Sequence, residues 1–443
     1  MFKRLALSTL VAAAALSGCS SLNTTPAPKV NNVIFMIGDG MGPAFITAHR
    51  YDRAGEPGRQ VEPTIFDQLL VGMAATHPAE DTWVTDSAAS ATALASGVKS
   101  YNGAVGVDTD KLPVRTMLEQ ARKAGMHTGV VATSEVNHAT PAGFVANVAS
   151  RRMYEIIAEQ YVNKRIADQS MLDLMIGGGQ RYFPREEGGL AEQLAEQGFQ
   201  QAWSLEEMTK LDALPAMALM SDRGMPFAID TDTPKRLSLM TDKALELLDG
   251  QDKGFFLMVE GSQIDWCGHA NDIRCALGEM QDFAKAVERA KAYVDDNPDT
   301  LLVITADHST GGLTLGSQGE YAWLPTAVNQ VSRTSSYIAE AMLAEPERSV
   351  ASHWQDHAKM TLSESQLAAI EEARERQVAG EGRYTLSNAI SKAVADNSYT
   401  GWTTSGHTAV DVTVMAYGPG AEQFAGYQDN TDIAKKLMGL MAR

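Results

Sequence analysis

Apolar positions cluster in short runs along this chain. Residues 30–37 (VNNVIFMI), 128–134 (TGVVATS), 255–259 (FFLMV), 301–305 (LLVIT) and 412–417 carry few polar side chains and predict buried strands. Residues 172–179 (LDLMIGGG) add a strand-like run that ends in a glycine turn. Helical patterns lie between these runs. Residues 114–123 predict a helix with Gly125 as its C-cap, and residues 234–248 an amphipathic one with Thr233 as N-cap and Pro234 at the first helical position. Residues 84–97 read as a loop that becomes a helix at Ser87, and nearly every later side chain there is small. Buried strands separated by helices, with polar residues at the strand ends, predict an α/β fold. The expected architecture is three-layer α/β/α with a central, mostly parallel sheet.

The pattern changes between residues 316 and 400, which read as a helical insertion into that domain. Three helices are predicted there, over 335–344, 363–377 and 386–394, the second opened by the capping box Ser363-x-x-Gln366. His353 and His357 lie four apart, but Trp354 follows His353, so the zinc motif H-E-x-x-H is absent and a solvated helix face is expected.

The polar residues at the run ends are of one chemical kind. Asp39 follows the first run. Glu260, Asp265 and His269 follow 255–259. Asp307 and His308 follow 301–305, and His407 precedes the last run. His138 follows 128–134. Any one of these residues alone is ordinarily a turn former or a hydrogen-bonded structural residue. Together they form a set of carboxylate and imidazole ligands that converges on metal ions. Ser87, at a helix N-terminus, faces free N–H groups and the positive end of the helix dipole, where phosphate binds. The alternative is that Asp86 or Ser87 serves only as an N-cap.

Charge narrows the function further. The 443 residues carry a formal net charge of −18, which argues against a nucleic-acid partner. An anionic substrate then needs local positive charge, which bound metal ions supply. Residues 172–179 lack the G-x-x-x-x-G-K-[ST] pattern, so a P-loop is excluded. At the N-terminus, Lys3 and Arg4 precede a short apolar stretch over residues 5–16 and then Leu16-Ser17-Gly18-Cys19. This resembles a bacterial lipoprotein signal, cut before Cys19, which then carries lipid. The resulting division is a signal over 1–18, a tether over 19–30 and a catalytic domain over 31–443. Ser20 after the Cys implies, by the same resemblance, the outer membrane of a Gram-negative periplasm. Cys267 and Cys275 remain; an exported compartment permits a disulfide and favours it, while Cys267 as an alternative ligand stays open.

Several stretches resemble one family. Thr85-Asp86-Ser87-Ala88-Ala89-Ser90-Ala91-Thr92-Ala93 is similar to the nucleophile motif of the alkaline phosphatases, and Gly38-Asp39-Gly40-Met41-Gly42 to their first metal motif. Ala139-Thr140-Pro141-Ala142, the Arg151 eleven residues after Thr140, Glu260, Asp265, His269, Asp307-His308 and Gly406-His407 follow in the family's order. The resemblance implies an alkaline phosphatase-like fold and usually a homodimer. It implies two Zn2+, one on Asp265, His269 and His407 and one on Asp39, Asp307 and His308. One Mg2+ would sit on Asp39, Thr140 and Glu260. It also implies hydrolysis of small phosphate monoesters through a phosphoserine on Ser87, with Arg151 clamping the phosphate; Arg152 is the competing assignment if the register slips by one. His138 and Trp266 stand where the enterobacterial enzyme has Asp and Lys, and the pair looks more like the marine-bacterial type. His138 would lie near the third ion. Trp266 would remove a cation near the phosphate. Within the superfamily, a sulfatase should carry C/S-x-P-x-R, and a diesterase usually lacks the clamping Arg. A lipoprotein that captures phosphate or metal without turnover is the alternative of a different class.

Overall fold

A computed structural model describes residues 30–166 and 168–441, so Cys19, the expected signal and nearly all of the expected tether lie outside the described residues. A ten-stranded sheet organises the fold. Across it the strands run Gly426–Asp429, Leu70–Ala75, Val412–Tyr417, Thr300–Ala306, Asn32–Gly38, Phe255–Gly261, His127–Glu135, Leu174–Gly178, Ala216–Leu219 and Gln200–Ala202. Val412–Tyr417 pairs antiparallel with both neighbours; every other pairing in the sheet is parallel. The predicted apolar runs occupy the middle of the sheet, where both faces are covered by helices and a strand needs no polar side. One helical layer contains Pro43–Ala54, Arg236–Leu248 and Ile273–Asp296. The other contains Ser87–Ser96, Met117–Lys123, Ala139–Val145 and Asn430–Met441. The three-layer α/β/α expectation holds. Among the described residues no helix is long and apolar enough to cross a membrane.

Four sheet strands escaped the sequence reading: Leu70–Ala75, Gln200–Ala202, Ala216–Leu219 and Gly426–Asp429. They are short or rich in Ala and Gly, and periodicity cannot separate such runs from helix. Two helix starts move. The helix expected from Pro234 begins at Arg236, and Thr233 does not cap it. Its first N–H groups are instead met by Asp282, which accepts from Leu237 N at 3.0 Å and Ser238 N at 3.3 Å. The helix expected from residue 114 spans Met117–Lys123, and the Thr116 hydroxyl caps it by accepting from Glu119 N at 3.2 Å. Ala124, not Gly125, is its C-cap residue.

The insertion leaves and returns through an antiparallel ladder of Thr314–Leu315 with Thr400–Gly401. Its helices include Ser335–Ala344, Glu364–Val378 and Thr385–Ser398, and Ser363 with Gln366 forms the capping box. A fourth, Val350–His357, corrects the expectation for the two histidines there. Val350, His353 and Trp354 are buried, the i, i+3, i+4 spacing of a helix face turned inward, and His357 is half-buried.

Candidate active site

Parallel strands deliver the site residues to one edge of the sheet. Gly38 pairs with Ala306, so Asp39 and Asp307 leave adjacent strand ends side by side. Glu260 pairs with Ile37 on one side and Ala132 on the other, which buries it at the same end. The next helix, Gln263–His269, carries Asp265, Trp266 and His269. His407 arrives by another route: Thr310 pairs with His407 in a two-residue antiparallel ladder, and the His407 ring stacks on His308 with centroids 3.6 Å apart. Gly40 makes the approach possible. It adopts a φ of +72°, and a Cβ there would lie 2.7 Å from Thr310 Oγ1 and 2.8 Å from Asp265 Cα.

Three groups of ligand atoms result: Asp39, Asp307 and His308; Asp265, His308 and His407; Asp39, His138 and Glu260. His308 Nε2 lies 3.0 Å from Asp307 Oδ2 and 3.5 Å from Asp39 Oδ1. His269 joins the second group, its Nε2 3.3 Å from Asp265 Oδ2 and 3.2 Å from His407 Nε2. Thr140 joins the third, its hydroxyl donating to Asp39 Oδ2 at 3.3 Å.

These residues fit cations. Asp39 Oδ1, Glu260 Oε1, Asp307 Oδ2 and His138 Nδ1 are all buried without a hydrogen-bond partner. Buried carboxylate oxygens are costly without a partner, and a metal ion is the partner such a set lacks. The titration behaviour agrees. Burial, then the charges of Asp307, Asp265 and Glu260, push the Asp39 carboxyl well above its usual range. Burial likewise raises Glu260 to about 8. Burial and the charge of Arg151 lower His138 to about 3, leaving a neutral imidazole free to ligate. For Asp265, burial is outweighed by hydrogen bonds from His269 and His407, and its carboxyl sits well below the usual range. Imidazole with carboxylate suits zinc, and hydroxyl with carboxylate suits a harder ion.

Ser87 stands beside the first group. Asp86 is the N-cap of Ser87–Ser96, accepting from Ala89 N at 2.9 Å, so Ser87 is the first helical residue and its side chain stays free of capping. Its Oγ lies 3.2 Å from His308 Nε2. The N–H groups of Ser87 and Ala88, at the first turn, have no acceptor within the helix. Gly143 lets the neighbouring helix close on this one, since a Cβ there would come within 2.8 Å of Ala91 Cβ. Arg151 reaches the site from the loop before Tyr154–Asn163; its Nη1 donates to Asp86 Oδ2 at 3.1 Å and its Nη2 lies 3.3 Å from His138 Nε2. Arg152 is exposed. The Trp266 ring packs edge-on against His138 at 6.0 Å and Phe227 at 6.4 Å.

Thr310 as a supporting residue, and the pairing of the N-cap candidate Asp86 with Arg151, were not read from the sequence. Thr310 donates to Asp265 Oδ1 at 2.6 Å, which commits its one proton and leaves it an acceptor for His308 Nδ1 at 3.2 Å. The proton of His308 is thereby held on Nδ1, and the Nε2 lone pair faces Ser87, Asp39 and Asp307. Asp86 does double duty as cap and as partner of Arg151. A threonine three residues past Asp307 carries no signal in a single sequence. Cys267 and Cys275 form a disulfide that ties the ligand-bearing helix to Ile273–Asp296, so Cys267 is not a ligand.

The chain is similar to known proteins over nearly its whole described length. A family model for alkaline phosphatase matches residues 30–442. Alkaline phosphatase 3 of Bacillus subtilis (strain 168) is 41% identical over 414 residues, covering 92% of this chain and 88% of that protein. The crystal structure of a cold-active alkaline phosphatase from a psychrophilic Shewanella sp. is 43% identical with a TM-score of 0.87, covering 93% of this chain and 100% of that one. A variant of TAB5 alkaline phosphatase, solved with magnesium in its M3 site, is 28% identical with a TM-score of 0.69, covering 94% and 99%. Strand-end carboxylates and imidazoles, a helix-start serine and these likenesses lead to one conclusion: the chain belongs to the alkaline phosphatase family and hydrolyses phosphate monoesters.

Proposed function

We propose that hydrolysis runs through a phosphoserine on Ser87. The observation that carries this is the position of Ser87 Oγ at the start of its helix, 3.2 Å from His308 Nε2, with Arg151 paired to the preceding residue, Asp86. In the first step Ser87 Oγ forms a bond to phosphorus, the ester P–O bond breaks, and the alcohol leaves with a proton. Arg151 pairs with two non-bridging oxygens through its planar guanidinium, exchanging part of its contact with Asp86 for the substrate. The N–H groups of Ser87 and Ala88 take up the charge that develops on phosphorus oxygens. In the second step water attacks, the Oγ–P bond breaks, and phosphate is released. Bound zinc ions would lower the pKa of the Ser87 hydroxyl and of water and neutralise the entering and leaving oxygens.

Two Zn2+ and one Mg2+ fit the donor sets. Asp265, His269 and His407 would hold one zinc, Asp39, Asp307 and His308 the other, and Asp39, Thr140 and Glu260 the magnesium. The TAB5 relative solved with magnesium in its M3 site is a His-to-Asp variant, and it supports a metal at this third position. Neutral His138 stands beside this third position and adds a nitrogen to an otherwise all-oxygen set. The enzyme would act as a homodimer in the periplasm, anchored by lipid on Cys19 to the outer membrane. The basic, apolar and Cys order of residues 3–19 supports the anchor.

The test compares phosphate release from p-nitrophenyl phosphate and bis-p-nitrophenyl phosphate, with zinc and magnesium supplied. The expected result is strong preference for the monoester. Preference for the diester would keep the metal positions and overturn the assigned reaction. No turnover of either by metal-loaded protein would favour a capture protein.

A further inference from the structure

The insertion has no part in the chemistry above, yet it forms a wall beside it. On its helix Thr385–Ser398, residues Asn388, Ser391, Lys392 and Asp396 fall at i, i+3, i+4 and i+8, a single stripe. That stripe lines a cleft of about 440 Å3, together with Trp402 and Gln318. The volume falls within the range of small-molecule pockets, about 300–1,000 Å3. The Ser391 hydroxyl donates to Ala270 O at 3.1 Å, which fastens the helix to the residue after His269.

His269 is where cleft and catalytic site meet. Its Nε2 faces Asp265 and His407, while its Nδ1 lies 2.6 Å from Ser405 O, and both His269 and Ser405 line the cleft. Its side chain is 43% exposed. From the nucleophile outward the order is Ser87, His308, His407, His269 and then the cleft, with successive ring centroids 3.6 and 5.0 Å apart. With His269 on the leaving-group side, an alcohol departing opposite Ser87 would face the cleft.

We propose that this cleft binds the alcohol portion of the substrate and selects neutral, polyhydroxylated alcohols, that is, sugar or polyol monophosphates. The proposal rests on the reading that His269 lies on the leaving-group side of the reaction. The chemistry of the lining favours this class. Lys392 and Asp396 pair at 2.8 Å, so their charges cancel and the lining offers no attraction to a second acidic group. The amide of Asn388 both donates and accepts, as a hydroxyl does, and Gln318 keeps its oxygen and one N–H beside the hydrogen bond it donates to Asp396 O at 2.9 Å. The indole of Trp402 gives an apolar surface for the C–H face of a sugar ring.

The test uses full-length metal-loaded enzyme and the variants Asn388→Ala and Lys392→Ala/Asp396→Ala, with glucose 6-phosphate and p-nitrophenyl phosphate as probes. Asn388 and Lys392 are exposed, and the half-buried Asp396 carboxylate accepts from Lys392 alone, so neither variant should unfold the protein, and unchanged melting curves verify this. Loss of one or two hydrogen bonds to the sugar should lower kcat/KM for glucose 6-phosphate about three- to tenfold, mainly through KM. Turnover of p-nitrophenyl phosphate, whose alcohol carries no hydroxyls to bind, should stay within about twofold of wild type. No loss with glucose 6-phosphate overturns the proposal. So does an equal loss with both probes, which marks the helix as structural support. Failure of the wild type to hydrolyse p-nitrophenyl phosphate overturns the phosphatase reading itself and the subsite with it.

Discussion

Thr310→Val removes one hydroxyl from the site and almost no volume. Thr310 is fully buried, and its hydroxyl is the link between Asp265 and His308, residues of two different metal positions. Its loss strips a 2.6 Å hydrogen bond from a charged carboxylate and leaves the Nδ1–H of His308 buried without an acceptor. The first effect is worth about 1.5–3 kcal/mol and the second about 1–3 kcal/mol, part of it recovered as side chains relax. Losing a partner that orients ligands costs about 10- to 100-fold in metal affinity, or about 1.4–2.7 kcal/mol. Because the hydroxyl serves both positions, both zinc equivalents should weaken together. Competition against a chelator of known zinc affinity reads the loss directly, and excess zinc should restore much of the activity. Thr310→Ser, which keeps the hydroxyl, should bind zinc nearly as wild type. The reasoning fails if Thr310→Val holds zinc as tightly as wild type, or if the serine variant loses affinity to the same degree.

Asp86→Ala should lose the cap on the Ser87 helix, at about 1 kcal/mol of stability, and release Arg151. Asp86→Asn keeps a cap but not the ion pair. A melting curve should separate the two variants, while a rise in KM for p-nitrophenyl phosphate should appear in both. Metal-free protein should lose stability as pH rises. The protonated form of Glu260 stabilises fully below its ordinary 4.5 and that contribution is gone above about 8; the His269 contribution is full below 6.5 and lost through about 9. Metal binding must displace those protons, so zinc affinity should climb as they leave; buried neutral His138 adds stability only up to its ordinary 6.5, so a melting series from pH 6.5 to about 9.5 with and without metal should show the two trends diverge. Trp266→Lys should return a cation to the phosphate site and tighten inhibition by inorganic phosphate; an unchanged inhibition constant would count against that role for Trp266.

The strand-end ligands were legible because central parallel strands are uniformly apolar, so an Asp, Glu or His directly after such a run stands out. Asp39, Glu260, Asp307 and His308 all announced themselves this way. Other features depend on contacts that no single sequence carries. His407 reaches His308 through a ladder two residues long, too short for any periodic signal. Asp282 caps a helix more than forty residues earlier in the chain, and the local candidate, Thr233, does not. His353 turned inward because its helix is short and packs on the insertion's own core, which a two-residue spacing argument cannot see. The insertion helices Ser335–Ala344 and Glu364–Val378 were found almost to the residue, since their caps are local; Thr385–Ser398 runs four residues past its expected end, Pro325–Val328 and Val350–His357 were not predicted, and the packing of the insertion against Ala270 and His269 was not legible.

The phosphorylation of Ser87 is the central claim, and one measurement reaches it directly. Metal-loaded enzyme is mixed with p-nitrophenyl phosphate, quenched in acid within a turnover, digested and analysed by mass spectrometry. A phosphoryl group is expected on the peptide that carries Ser87, at that residue, and none in Ser87→Ala. Turnover with no phosphopeptide, or undiminished turnover by Ser87→Ala, would contradict it.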